Sequence, residues 1–151
     1  MPGDYSGTAV IDRPIDEVWA FLAEGTNDPT FSPRVLEIRK EPVGPSALGT
    51  VFVSRVKDAG MKSDRRFELT RFDAPTTLRW AERSKNLVTV PEGGYDLEDL
   101  GDGRTKVTVF NSFVGHGLGK LLVGPARKAA AKDADAFAAR IKAAVEARPG
   151  G

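Results

Sequence analysis

The chain has 151 residues, 40% hydrophobic and 28% charged, the composition of an ordinary globular protein, and its 22 basic and 21 acidic side chains leave a formal charge of +1. That balance gives no overall attraction to nucleic acid or to an anionic membrane. The absence of cysteine excludes disulfides, thiolate metal sites and cysteine nucleophiles, and a single histidine, His116, excludes a histidine metal cluster, so no metal or cofactor is expected.

The length predicts one domain, with a core over about residues 5–147 and a disordered tail over 148–151. The start, Met-Pro-Gly-Asp, has neither the basic region nor the apolar core of a signal peptide. No apolar run approaches the ~20 residues that span a bilayer. The expectation is a cytoplasmic protein, monomeric or weakly dimeric, with no stable membrane insertion.

The chain opens with a strand over Tyr5–Ile11 and a helix over Asp12–Glu24. Pro14 suits a first helical turn, where a missing N–H costs nothing, and Asp16 and Glu17 complement the helix dipole. Ile15, Val18 and Leu22, joined by Trp19, form the apolar stripe, and Gly25 is a natural stop. Residues 27–33 are turn-rich, with room for one more helical turn.

From Val35 the pattern changes period. Strands are predicted at Val35–Val43, Thr50–Lys57, Lys62–Asp73, Thr77–Arg83, Leu87–Leu100 and Thr105–Val114, separated by hairpin-sized turns. Such spacing implies an antiparallel meander. Pro91, Gly93 and Gly94 predict a break in the fifth of these strands.

The last segment, about Leu118–Ala147, is the one sustained helical pattern. Gly119, Gly124 and Pro125 predict a short first piece and a kink, and the glycines around His116 a gate. Ala126, Ala130, Asp133, Phe137, Ile141 and Val145 are placed on one face, which needs the sheet as its partner.

In this β–α–α–β6–α order the chain resembles the START-like superfamily (SRPBCC), which includes Bet v 1-type plant proteins, START lipid carriers and polyketide cyclases. The resemblance covers about Tyr5 to Glu146 and rests on four pieces. These are Asp-Arg-Pro-Ile-Asp-Glu-Val-Trp (12–19), Leu48-Gly49-Thr50, the strand–proline turn–strand of Leu69 to Leu78, and the hairpin Gly101 to Thr108. Where bacterial cyclase-like members often carry tryptophan and proline, this chain reads Phe31-Ser32-Pro33. The resemblance implies an α+β helix-grip fold, a curved antiparallel sheet of about seven strands wrapped around a long C-terminal helix.

Alternation then suggests which side chains face the helix. The inward set is expected to be Val51, Val53 and Arg55 on one strand, Arg65, Phe67, Leu69 and Arg71 on the next, and Leu78, Trp80 and Glu82 after it. Tyr95, Leu97, Val107, Val109, Asn111 and Phe113 follow, with Phe137 from the helix. This mostly apolar and aromatic face, with a few polar groups, fits a small hydrophobic or amphipathic ligand, lipid- or polyketide-like. The rival readings are a polyketide cyclase acting on a poly-β-ketone, for which Glu82, Asn111 and Asp133 are the weak catalytic candidates, and a resistance protein that sequesters a toxic metabolite. Each inward residue has a plainer reading as core packing or as a paired surface charge, and His116 as a surface side chain.

Overall fold

The structure, a computed structural model, describes residues 5–58 and 60–149. Strand β1 (Tyr5–Ile11) leads into helix α1 (Ile15–Ala23), and a 3-10 turn over Gly25–Thr30 stands where a second helix was expected. Four strands follow in meander: β2 (Val35–Glu41), β3 (Val51–Asp58), β4 (Met61–Asp73) and β5 (Thr77–Glu82). The predicted fifth strand is broken at Pro91 into β6 (Val88–Thr89) and β7 (Gly93–Gly101). After β8 (Arg104–Asn111) and the short β9 (Val114–Gly115), helix α2 runs unbroken from Gly119 to Glu146. Pro125 lies inside α2, in its second turn, so the expected separate first piece is absent.

Seven strands form one antiparallel sheet in the order β1-β8-β7-β5-β4-β3-β2, and β6 and β9 make a separate ribbon. The helix-grip architecture expected from the sequence is the one observed. The β7–β8 hairpin turns through Asp102 (φ 54°) and Gly103 (φ 72°), the two positive-φ residues that a twist-matched two-residue turn requires.

The inner face of the sheet packs Phe52, Leu69, Leu78, Tyr95, Leu97, Val107 and Val109 against α1 and against Ala138, Ile141 and Val145 of α2. Two parts of the expected inward set are corrected. In β3 the buried residues are Phe52, Ser54 and Val56, because Phe52 pairs with Phe67; Val53 and Arg55 therefore lie on the outer face, and Arg55 meets Asp64 there at 3.0 Å. In β4 a bulge between Leu69 and Arg71 shifts the alternation, so Leu69 and Phe72 both turn inward while Arg71 pairs with Asp73 outside.

On α2, Ile141 and Val145 are buried as expected, but the stripe before them is one position off. Ala134 and Ala138 are buried, whereas Asp133 is exposed and holds Arg140 at 2.9 Å. The alanines decide how closely the helix approaches. At Gly7 of β1 a Cβ would overlap the Ala134 carbonyl oxygen, so glycine there is a packing requirement. Beyond the helix, Arg148 lies over the Phe21 ring at 5.1 Å. The rest of the expected tail, residues 150 and 151, lies outside the described residues.

Gly7→Ala is expected to destabilise the protein by about 1–3 kcal/mol through overpacking. Gly124→Ala, in the α2 interior with nothing outside its own stretch of helix within 4 Å of the new methyl, should change stability by less than about 1 kcal/mol. The gain in helix propensity is opposed there by crowding between the methyl and the Pro125 ring. Urea unfolding midpoints at unchanged m-value check both, and equal effects would contradict the close helix–strand contact.

Candidate functional site

Polar groups on the inner face cluster where β1, β7 and β8 meet the end of β5. Asn111 stands opposite both Tyr5 and Gly93 in the ladder. Its Oδ1 accepts the Trp80 indole N–H at 3.0 Å, and its amide donates to the Tyr5 hydroxyl at 3.3 Å. A Cβ at Gly93 would overlap both Asn111 Oδ1 and Trp80 Nε1, so this glycine makes room for the bond. Phe113 stacks on Tyr5 with ring centroids 5.7 Å apart, and Trp80 meets Tyr95 edge-on at 4.9 Å.

Glu82 faces inward as expected, with a side chain that is fully buried. Arg65 Nη1 reaches both its oxygens at 3.1 Å and also donates to the Val88 carbonyl at 2.7 Å. The Val90 amide (3.0 Å), the Ser84 hydroxyl (2.6 Å) and the Asn86 amide (2.9 Å) complete the set around the carboxylate. A carboxylate this fully bonded ties the β5–β6 loop to β4 and has no lone pair left for a substrate. Beside it, Arg34 grips Asp58 with two bonds of 2.8 and 2.6 Å, close enough to Tyr5 and Glu82 to feel their charges. Burial pushes Asp58 up, but the Arg34 hydrogen bonds and charge outweigh it and hold the carboxyl below its usual range.

Of the three catalytic candidates, then, Glu82 and Asn111 share the inner face but are occupied by neighbours, and Asp133 is on the surface. His116 is exposed, with its ring bonded to Thr89 at 2.8 Å and its amide to the Leu87 carbonyl at 2.8 Å, so the expected gate is pinned to β6. Of the remaining expected lining, Leu69, Trp80, Tyr95 and Val109 face inward, Phe67 shares their face through its pairing with Phe52, and Phe137 packs edge-on against Phe31 at 5.7 Å.

The group that sequence reasoning missed is Asp28. It sits in the 3-10 turn, where its backbone carbonyl accepts the Phe31 and Ser32 amides while its carboxyl has no hydrogen-bond partner among the described residues. The residue is half-buried, with protein packed around its carboxyl. Burial pushes that carboxyl up to about 7. Burial also pushes the Tyr95 phenol well above its ordinary value, and the nearby Asp28 charge adds to the effect. The Tyr95 hydroxyl likewise has no described protein partner, so a carboxyl and, against the Trp80 ring, a nearby phenol are left without one. Nothing in the local sequence Asn27-Asp28-Pro29 marks Asp28 as enclosed; only the packing of the turn over the sheet does. Two open surface grooves flank that turn, one of about 600 Å³ beside Ile38 and Lys40 and one of about 450 Å³ beside Arg140 and Ala144. Among the described residues no cluster of three or more histidine or acidic groups could hold a metal ion.

Residues 3–146 match the family described as polyketide cyclase / dehydrase and lipid transport. No curated protein matches the sequence. Among solved structures, the di-domain ARO/CYC BexL from the BE-7585A biosynthetic pathway superposes with a TM-score of 0.73 at 17% identity, over 95% of this chain and 47% of that one. This chain thus spans about half the length of BexL. A protein from Thermus thermophilus gives a TM-score of 0.71 at 16% identity, covering 95% and 97% of the two chains. The Zhui aromatase/cyclase from Streptomyces sp. R1128 gives 0.66 at 18% identity, covering 97% of each. Identities this low carry the fold and not the reaction.

Two outcomes follow from the site. Glu82→Ala, which leaves Arg65 buried without its partner, should cost about 3–5 kcal/mol in chemical denaturation. Asp28 acts on stability with the opposite sign to a paired carboxylate. Its folded value lies above the unfolded 3.8, so the folded state retains a proton that the unfolded chain gives up. Stability contributed by this group is therefore full below about pH 4 and lost as pH rises towards 7. Asp28→Asn should flatten that slope and raise stability at neutral pH by up to about 4 kcal/mol. Parallel pH–stability curves for wild type and variant would refute the enclosed carboxyl.

Proposed function

The chain belongs to the polyketide cyclase / dehydrase and lipid transport family, and on that premise we propose that it binds a small, mainly apolar molecule carrying a few oxygens between the sheet and α2. One observation supports this most directly: two neighbouring polar groups, the half-buried Asp28 carboxyl and the Tyr95 hydroxyl, have no described protein partner, and Tyr95 lies against the Trp80 ring. Unpartnered buried polar groups cost free energy, and a ligand that bonds to them recovers it. A flat polycyclic or polyketide-like molecule with carbonyl or hydroxyl groups at one end matches that arrangement. A carrier and a sequestering resistance protein both fall under this reading.

A second reading, cyclisation of a poly-β-ketone, is favoured by Asp28 alone. A carboxyl that titrates near neutrality suits proton transfer. As carboxylate it would take a proton from a carbon between two ketone groups, and the electron pair left behind would become an enolate whose oxygen Tyr95 could bond. The enolate carbon would then attack a second carbonyl of the same chain, and Asp28 would return the proton to the resulting alkoxide.

The readings separate experimentally. Native mass spectrometry of the protein purified from its own host should show an adduct that disappears on denaturation, and tryptophan fluorescence should report titration with aromatic polyketides. A ligand accepting a hydrogen bond from the protonated Asp28 should lose about tenfold in affinity per pH unit above 7, a dependence absent in Asp28→Asn. If no adduct appears and no polyketide perturbs the fluorescence, the binding reading fails. Turnover that Asp28→Asn abolishes while affinity is retained would move the assignment to the enzyme.

A further inference from the structure

Five large apolar side chains stand in solvent around the start of α2: Leu118 (73% exposed), Leu121 (77%), Leu122 (50%), Leu87 (48%) and Val114 (40%). They come from three chain segments that the fold fastens together. Val88 pairs with Gly115 and Thr89 with Val114. The His116 amide donates to the Leu87 carbonyl, and Gly119 lies so close to Leu87 that a Cβ would overlap its carbonyl oxygen. Single exposed leucines are ordinary, but a fastened cluster of them marks a contact surface.

The charge around the cluster has one sign along α2. No acidic residue occurs between Asp102 and Asp133, while Lys120, Lys128 and Lys132 are exposed and Arg127 is anchored to the Phe113 carbonyl at 2.7 Å. Lys85 adds an exposed cation beside Leu87, and Glu92, behind the β8 end, is the exposed acid of the neighbouring loop. At 100° per residue, Leu121, Lys128 and Lys132 fall within about 20° of one line on the helix. The helical rise sets Lys128 about 10 Å and Lys132 about 16 Å behind Leu121.

We propose that the start of α2 and the β6–β9 ribbon form a docking surface for an anionic lipid bilayer. The spacing selects a membrane over an acidic protein. Apolar side chains project from a helix tip and a turn, and Lys120 and Lys85 stand level with them. Lys128 and Lys132 are set back along the helix by about the depth of a headgroup layer, a placement that suits anionic headgroups. The surface also adjoins the Phe113–Tyr5–Asn111 end of the inner face, so docking would bring lipid to one end of the interior.

Cosedimentation of the full chain tests this, with vesicles of phosphatidylcholine alone and of phosphatidylcholine with phosphatidylglycerol at about 3:1. Wild type should pellet with the mixed vesicles and not with the neutral ones, and the bound fraction should fall as salt rises. Leu121→Asp with Leu122→Asp should abolish pelleting, and Lys128→Glu with Lys132→Glu should weaken it at least ~10-fold. All four side chains are exposed, so both variants should keep the wild-type melting temperature, which confirms that the loss is one of docking. Wild type remaining in the supernatant with mixed vesicles, or pelleting that both double variants retain, would overturn the proposal. Capture of an acidic protein without vesicle binding would overturn it too. The assay needs no ligand in the interior, so its failure leaves the binding reading untouched.

Discussion

The close approach of α2 to β1 governs the rest of the structure. A 28-residue helix can lie along the inner face only if its contact stripe is slim, and Ala134 and Ala138 provide that where the helix crosses Gly7. Larger residues begin beyond the crossing, with Ile141 and Val145 buried against Ile11, Val18 and Val107. The tight end is therefore fixed near α1, and the helix's first turns stand free of the sheet. This asymmetry allows one half of the protein to be core and the other to meet a ligand or a surface.

Polar chemistry in the interior divides along the same line. Glu82 and Asn111 both face the interior, yet Glu82 is saturated by groups that hold strands and loops together and Asn111 is engaged by Trp80 and Tyr5. Desolvation explains why: a carboxylate taken out of water requires several donors, and Arg65, Ser84, Asn86 and the Val90 amide supply them. Asp28 has the opposite balance. It is enclosed without donors, so it holds its proton towards neutral pH instead of recruiting partners. A buried acid with no structural duty is more informative about function than one in a network.

Much of the fold could be read from residue patterns. The Asp-Arg-Pro-Ile-Asp-Glu start, the Asp102-Gly103 turn and the Pro91 break are local signals, each set by the conformational limits of a few residues, and each appears where expected. Inward and outward faces were legible where one alternation was clearly more apolar, as for Leu78, Trp80 and Glu82 or Val107, Val109 and Asn111. They were not legible in Val51–Val56, where both alternations read as apolar. There the pairing of Phe52 with Phe67 decides. Nor does any local pattern announce the β4 bulge that turns Arg71 outward, or the one-position rotation that exposes Asp133.

The amino-acid sequence by itself determined the order of elements, the antiparallel sheet and the long helix that must cover it, because periodicity and turn chemistry act over a few residues. Tertiary structure alone decided which polar groups are spent and which are free. Whether Glu82 is a catalyst or a clasp depends on donors from residues 65 to 90, and whether Asp28 is a surface acid or an enclosed one depends on a turn folding over a distant sheet. Solvation and hydrogen bonding are set by what surrounds a group in space, and neighbours in sequence do not report that.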